Sequence, residues 1–187
     1  MLRTQARAGF VLTAGTPADA ERVREFVTGL SLRSQFFRFF ASVATPSSSL
    51  LRSLTGTDGR ADVLIAMDAS GNLVGHGMVV DRTSGDGRQV SDIGVVVADS
   101  WQGRGVGSAL MRALAQRAAG RGSAELVMDV LPENARMLGM IERRWPDARR
   151  TRSRDSVTIR ASLVDATGTA GTTGTTGTTG AALRGAS

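Results

Sequence analysis

VVVADSWQGRGVGSALM, residues Val95 to Met111, is the stretch on which the reading of this chain turns. A β-branched run, Val95 to Val97, enters a short loop with glycines at 103, 105 and 107. Val106, Leu110, Ala113, Leu114 and Ala118 then recur at helical spacing. Strand, glycine loop and helix together make an anion cradle. Glycines let the backbone approach a ligand without Cβ hindrance. The first helical turn offers unpaired N–H groups and the positive end of the helix dipole. Gln102, Arg104 and Ser108 add side-chain donors. The dinucleotide fingerprint would place its third glycine at 108, where this chain has serine. The phosphate loop of nucleotide hydrolases needs a lysine, and the chain has none. What remains is Gln-x-x-Gly-x-Gly, at 102, 105 and 107.

Working outward, the periodicity predicts alternating strands and helices around this motif. Upstream, strands are expected at Phe10–Thr16, Ala61–Asp68, Leu73–Asp81 and Gln89–Asp99. Ser70-Gly71-Asn72 is a hairpin turn, and Gly75 and Gly77 mark a bulge or a close backbone approach. Thr16-Pro17-Ala18-Asp19 opens a helix running to about Leu30. LSLRSQFFRFF, Leu30 to Phe40, follows with four of the six phenylalanines, read mainly as core. Ser47 to Leu54 is a further short helix. Downstream, a strand is expected at Ala124–Leu131, a helix from Pro132 to about Arg144, and a last strand at Ser156–Leu163. Residues 1–165 form one domain in this reading. Residues 166–187 repeat Thr-Thr-Gly three times and carry too little apolar surface to order themselves, so they read as a disordered tail.

Composition narrows the chemistry. The chain has 187 residues, no cysteine, no tyrosine and a single histidine, His76. All 23 basic residues are arginine. Thiolate catalysis, Cys-ligated zinc, Schiff-base lysines and multi-histidine metal sites are excluded, and no metal is expected. With a mean hydropathy of −0.05 and no long apolar run, the chain reads as a cytoplasmic globular protein without a membrane span. Net charge is zero over residues 1–100 and +6 over 101–160. A basic half of this kind suits an anionic ligand. The arginines at 143, 144, 149, 150, 152 and 154 lack interleaved aromatics apart from Trp145. They read as a solvated face rather than as a nucleic-acid surface.

The motif, with the element order around it, resembles the coenzyme A pyrophosphate loop of the GNAT N-acetyltransferases. The resemblance runs over residues 9 to 163. LSLRSQFFRFF and DVLPENARM bring it nearest to bacterial GNAT domains that acetylate protein lysines. It implies an α/β (α+β) domain: a central mixed, mostly antiparallel sheet flanked by helices and splayed at the coenzyme site. It implies acetyl-CoA as co-substrate. Backbone amides of Gly103, Arg104, Gly105, Val106, Gly107 and Ser108 would hold the pyrophosphate, with Gln102 beside them. Val95 and Val97 would pair with the pantetheine arm, and Asn134 would contact the cofactor. An amine, a protein lysine or a small molecule, would be acetylated in a direct ternary complex. Homodimers are frequent in the resembling family.

The resemblance puts Asp92 where protein-acetylating relatives carry a glutamate base, and a capping role at the strand edge is its other reading. His76 is the alternative base, or a satisfied core histidine. The tyrosine that many members use as acid would fall near Ile141, and this chain has none. A module that binds acyl-CoA without turnover is therefore the rival reading.

Overall fold

The computed structural model describes residues 9–163. β1 (Phe10–Ala14) is followed by a 3-10 turn and three helices, α1 (Ala20–Thr28), α2 (Leu32–Phe39) and α3 (Ser48–Leu54). Next come β2 (Ala61–Asp68), β3 (Leu73–Thr83) and β4 (Gln89–Val97), then α4 (Val106–Gly120) and β5 (Glu125–Val130). α5 (Ala135–Arg144), β6 (Arg149–Arg152) and β7 (Val157–Ser162) complete the chain order. The seven strands form one sheet, ordered β1-β2-β3-β4-β5-β7-β6. Every neighbouring pair is antiparallel except β4 with β5. That parallel pair needs a crossover, and α4 supplies it.

Helices cover both faces. On one, Leu110, Leu114 and Ala118 of α4 are fully buried against the sheet. Gly75 and Gly77 make this approach close. A Cβ at either would fall 2.7 Å from Val106 or Leu114 side chains. On the other face, Val23, Phe26 and Val27 of α1 pack with Leu51 and Leu54 of α3 and with Val96 of β4. His76 is 1% exposed and faces this second layer, where its Nε2 lies 2.8 Å from the Leu54 carbonyl oxygen.

Several expectations are corrected. Thr16 and Asp19 do cap a helix start, with the Thr16 N–H and hydroxyl both donating to Asp19 Oδ2, at 3.0 and 2.7 Å. The first turn is 3-10, however, and α1 begins at Ala20. α5 begins at Ala135 rather than Pro132, because the Asn134 side chain accepts from the Met137 N–H and caps it. The phenylalanines at 36, 37, 39 and 40 are core only in part: none is fully buried, Phe39 packs against the second cluster, and Phe36 and Phe40 are exposed. β6 was not foreseen. Its four residues are all exposed on the sheet edge, so no apolar alternation marks it. Among the described residues no helix is long and apolar enough to cross a membrane. The tail at 166–187 lies outside the described residues.

Candidate active site

The sheet opens where β4 leaves β5. Their pairing covers only Val90 to Asp92 on β4, against Glu125 to Val127. From Ile93 to Val97, β4 pairs with β3 alone. Among the described residues its other edge has no strand partner, and an extended chain can add to such an edge. A groove of about 520 Å³ runs from this edge to the glycine loop, lined by Val95, Val97, Gln102, Gly103, Gly105, Gly107, Ser108 and Asn134 among others.

The loop's conformation depends on its glycines. Gly103 and Gly105 have φ of 80° and 86°, in the left-handed region. A Cβ on either would meet nothing within 4 Å, so the space above them is open to a ligand. Gly105 is the N-cap residue of α4, leaving the first-turn N–H groups without a side-chain acceptor. Arg33, Arg136 and Arg143 add positive charge to the groove wall. Uncapped helix start, open glycine cradle and arginines fit a polyphosphate, and they fit the phosphates of coenzyme A.

The foreseen residues do not all act alike. Val106 is 1% exposed, with its side chain in the core, so only its backbone can serve a ligand. Arg104 is exposed and stacks over the Trp101 ring at 5.0 Å. Gln102 holds the loop in place. Its Nε2 donates to Ser34 Oγ and to the Val97 carbonyl, and its Oε1 accepts from Arg136. Ser34 in turn donates to Asp99, which also accepts from the Ser31 N–H and hydroxyl. Burial pushes the Asp99 carboxyl up, but these hydrogen bonds outweigh it and the net shift is downward.

A second cavity of about 150 Å³ lies in the opening between the strands, bordered by Asp92, Gly94, Asp129 and Ile141. Phe37, Arg38, Val95, Asn134 and Met137 line both cavities, so the two meet there. Asp92 is partly exposed, and its Oδ2 accepts from Arg82 Nε at 2.6 Å. His76 lines neither cavity. Burial pulls its imidazole down to about 4, with the hydrogen bond to Leu54 opposing and Arg38 adding to the fall. Of the two candidate bases, only Asp92 borders a cavity.

Comparison with known proteins agrees with this geometry. Residues 31–144 match the model of the Acetyltransferase (GNAT) family. The chain belongs to the GNAT family. It is an N-acetyltransferase of the acyl-CoA-dependent kind. Among solved structures it is similar to the GNAT domain of S. lividans PAT, with 25% identity and a TM-score of 0.72, covering 82% of this chain and 90% of that one. A GCN5-related N-acetyltransferase from Kribbella flavida shares the fold at 18% identity and a TM-score of 0.63, over 82% and 98% of the two chains. A cAMP-binding acyltransferase from Mycobacterium smegmatis is 27% identical with a TM-score of 0.56, over 87% of this chain but 46% of that one. No curated protein sequence is similar enough to match. Within the GNAT frame, sequence reasoning missed Arg38, Met137 and Arg136, and it weighed Phe37 mainly as core. Their sole signal was helical spacing within LSLRSQFFRFF and DVLPENARM.

Proposed function

We propose that this GNAT enzyme moves an acetyl group from acetyl-CoA to a primary amine, with a protein lysine as the leading acceptor. The observation that carries the reading is the meeting of two cavities at Val95. One leads to the anion cradle and the other to Asp92.

In this reading the backbone N–H groups of Gly103 to Ser108 hold the pyrophosphate. The free edge of Val95 and Val97 pairs with the pantetheine arm. Asn134 spends its Oδ1 on capping α5, which leaves its amide N–H groups for the cofactor. Bound acetyl-CoA supplies an activated acyl carbonyl. Asp92 takes the proton from the attacking ammonium, directly or through one water. Transfer is direct, because the chain has no cysteine to carry an acyl group. The lysine reading draws support from α2. Leu32 and Phe36 are exposed on one face of α2, and Phe40, its exposed C-cap residue, borders the second cavity. Three exposed large apolar side chains beside the cavity suit a macromolecule more than a small amine.

Thermal unfolding with acetyl-CoA, CoA and ATP is the first test. Ligand at about 100 times its Kd stabilises by about 2.7 kcal/mol. A rise with both coenzyme forms, but not with ATP, is expected. Thiol release on adding amines then separates this enzyme from a module that only binds acyl-CoA. Binding without release from any amine would favour the module.

A further inference from the structure

The chain has no tyrosine to protonate a leaving thiolate. Ile141, near where that residue would fall, is fully buried and borders the second cavity with an apolar side chain. As the amine nitrogen bonds to the acyl carbon, the carbon–sulfur bond breaks and its electron pair leaves on sulfur. A proton leaves the amine. The negative charge on sulfur needs a stabilising group, and the apolar side chain of Ile141 gives none.

Arg38 is the sole charged residue that lines both cavities. Among the described residues its guanidinium has no ion pair and no hydrogen bond, and its Nε is buried without a partner. Its one polar contact is with the face of Phe39, 5.2 Å from the ring centroid. The guanidinium lies on Gly94. A Cβ there would stand 2.7 to 2.9 Å from Cζ and both Nη atoms. Glycine in a strand interior is unfavourable, so this strand carries a local cost that makes room for the cation. Residues alternate along a strand, so Asp92 and Gly94 share the α2 face of β4. Yet Asp92 pairs with Arg82 rather than with Arg38. A proton acceptor and an unpaired cation therefore flank Gly94. A partly buried guanidinium without an anion is costly until an anion arrives.

We propose that Arg38 stabilises the negative charge that acyl transfer leaves on the coenzyme sulfur, in place of a tyrosine acid. This rests on the acetyl-CoA reading above. Burial lowers the Arg38 guanidinium only to about 10, so it stays charged at neutral pH. Its environment matches the demand: a cation partly withdrawn from water, seated on Gly94, stabilises charge more strongly than one in bulk water. The remaining charges are set apart. Arg33, Arg136, Arg143, Asp99 and Glu133 border only the first cavity, and Asp92 and Asp129 only the second.

The test titrates the thiol of bound CoA by the ultraviolet absorbance of its thiolate, on the full chain and on Arg38→Met and Arg38→Lys. Desulfo-CoA, which lacks the sulfur, is the control ligand. In the parent protein the bound thiol should ionise about one pH unit or more below free CoA, as an opposite charge within about 4–6 Å produces. Arg38→Lys should keep part of that change and Arg38→Met should lose it. Desulfo-CoA should bind all three alike, which a merely structural role for Arg38 would not give. A thiol that ionises as in free solution in the parent protein overturns the proposal, as does a lowered value that survives in Arg38→Met. Loss of desulfo-CoA binding in both variants also overturns it, since Arg38 would then be holding the groove together. If the parent protein binds neither CoA nor desulfo-CoA, the coenzyme reading itself fails and takes this one with it.

Discussion

Arg82 Nε stands 2.6 Å from Asp92 Oδ2, across the β3–β4 pair, with both side chains close to half exposed. The pair holds the candidate base at the mouth of the second cavity without hiding it. Asp92 gains an orientation from Arg82 and keeps Oδ1 for an incoming ammonium.

Asp92→Asn should therefore lower kcat by roughly 10²- to 10⁴-fold, the usual loss for a positioned proton acceptor. Its affinity for acetyl-CoA should be unchanged. Steady-state kinetics with calorimetric binding would check both. Unchanged kcat would remove Asp92 from the chemistry. Arg82→Ala should change stability by less than about 1 kcal/mol, because exposed ion pairs contribute little.

Stability and binding should separate at the glycine loop. Gly107 lies in the first turn of α4 with ordinary φ, and an added Cβ there would make only normal contacts, the nearest 3.5 Å from Val97. Gly107→Ala should raise stability by up to about 1 kcal/mol through helix propensity. It should nonetheless weaken acetyl-CoA binding, since the new methyl faces the groove. Gly105→Ala should lose both. Its φ of 86° costs a side-chain-bearing residue about 1–2 kcal/mol. Melting curves with and without acetyl-CoA would show the difference.

Gln102 ties the loop to α2 through Ser34 and to α5 through Arg136. Gln102→Ala should leave melting nearly unchanged in the free protein and raise the Kd for CoA about tenfold, a loss of about 1.4 kcal/mol in loop order. An unchanged Kd would mean the loop holds its shape without this latch.

His76 should govern the acid limb of stability rather than activity. It is held neutral in the fold, down to about 4, against about 6.5 when exposed. The unfolded chain thus binds an extra proton between these values. The contribution is complete above about pH 6.5 and is lost as pH falls toward 4, by up to about 3 kcal/mol. His76→Gln should flatten that part of a stability-versus-pH curve and leave turnover intact. A large loss of kcat in this variant would contradict its placement in the core.

The local code was readable where it is strong. Ala61–Asp68 is a short apolar run with branched residues, bounded by turn signals, and it forms a strand over that same range. The helix starting at Val106 follows a glycine and an apolar stripe, and it forms as expected. β6 escaped notice because Arg149, Arg150 and Arg152 bury nothing, and its strand character comes only from pairing with β7. The phenylalanines of α2 misled for the opposite reason. Aromatic residues signal burial on average, but here the helix covers a cavity, so Phe36 and Phe37 line space or face solvent and only Phe39 packs against the core.

From sequence alone the element order apart from β6, the glycine cradle with its helix, and the chemistries excluded by missing cysteine, lysine and tyrosine were determined. These depend on residue identity and on spacing within a few turns. Only the tertiary structure decided which distant residues meet. Arg38 on α2 comes to lie on Gly94 of β4, Arg82 reaches Asp92, and His76 turns away from both cavities into the core. The physical reason is that periodicity specifies which face of an element is apolar. The partner of each polar side chain depends on strand register, on where β4 and β5 part, and on how closely the helices can approach the sheet.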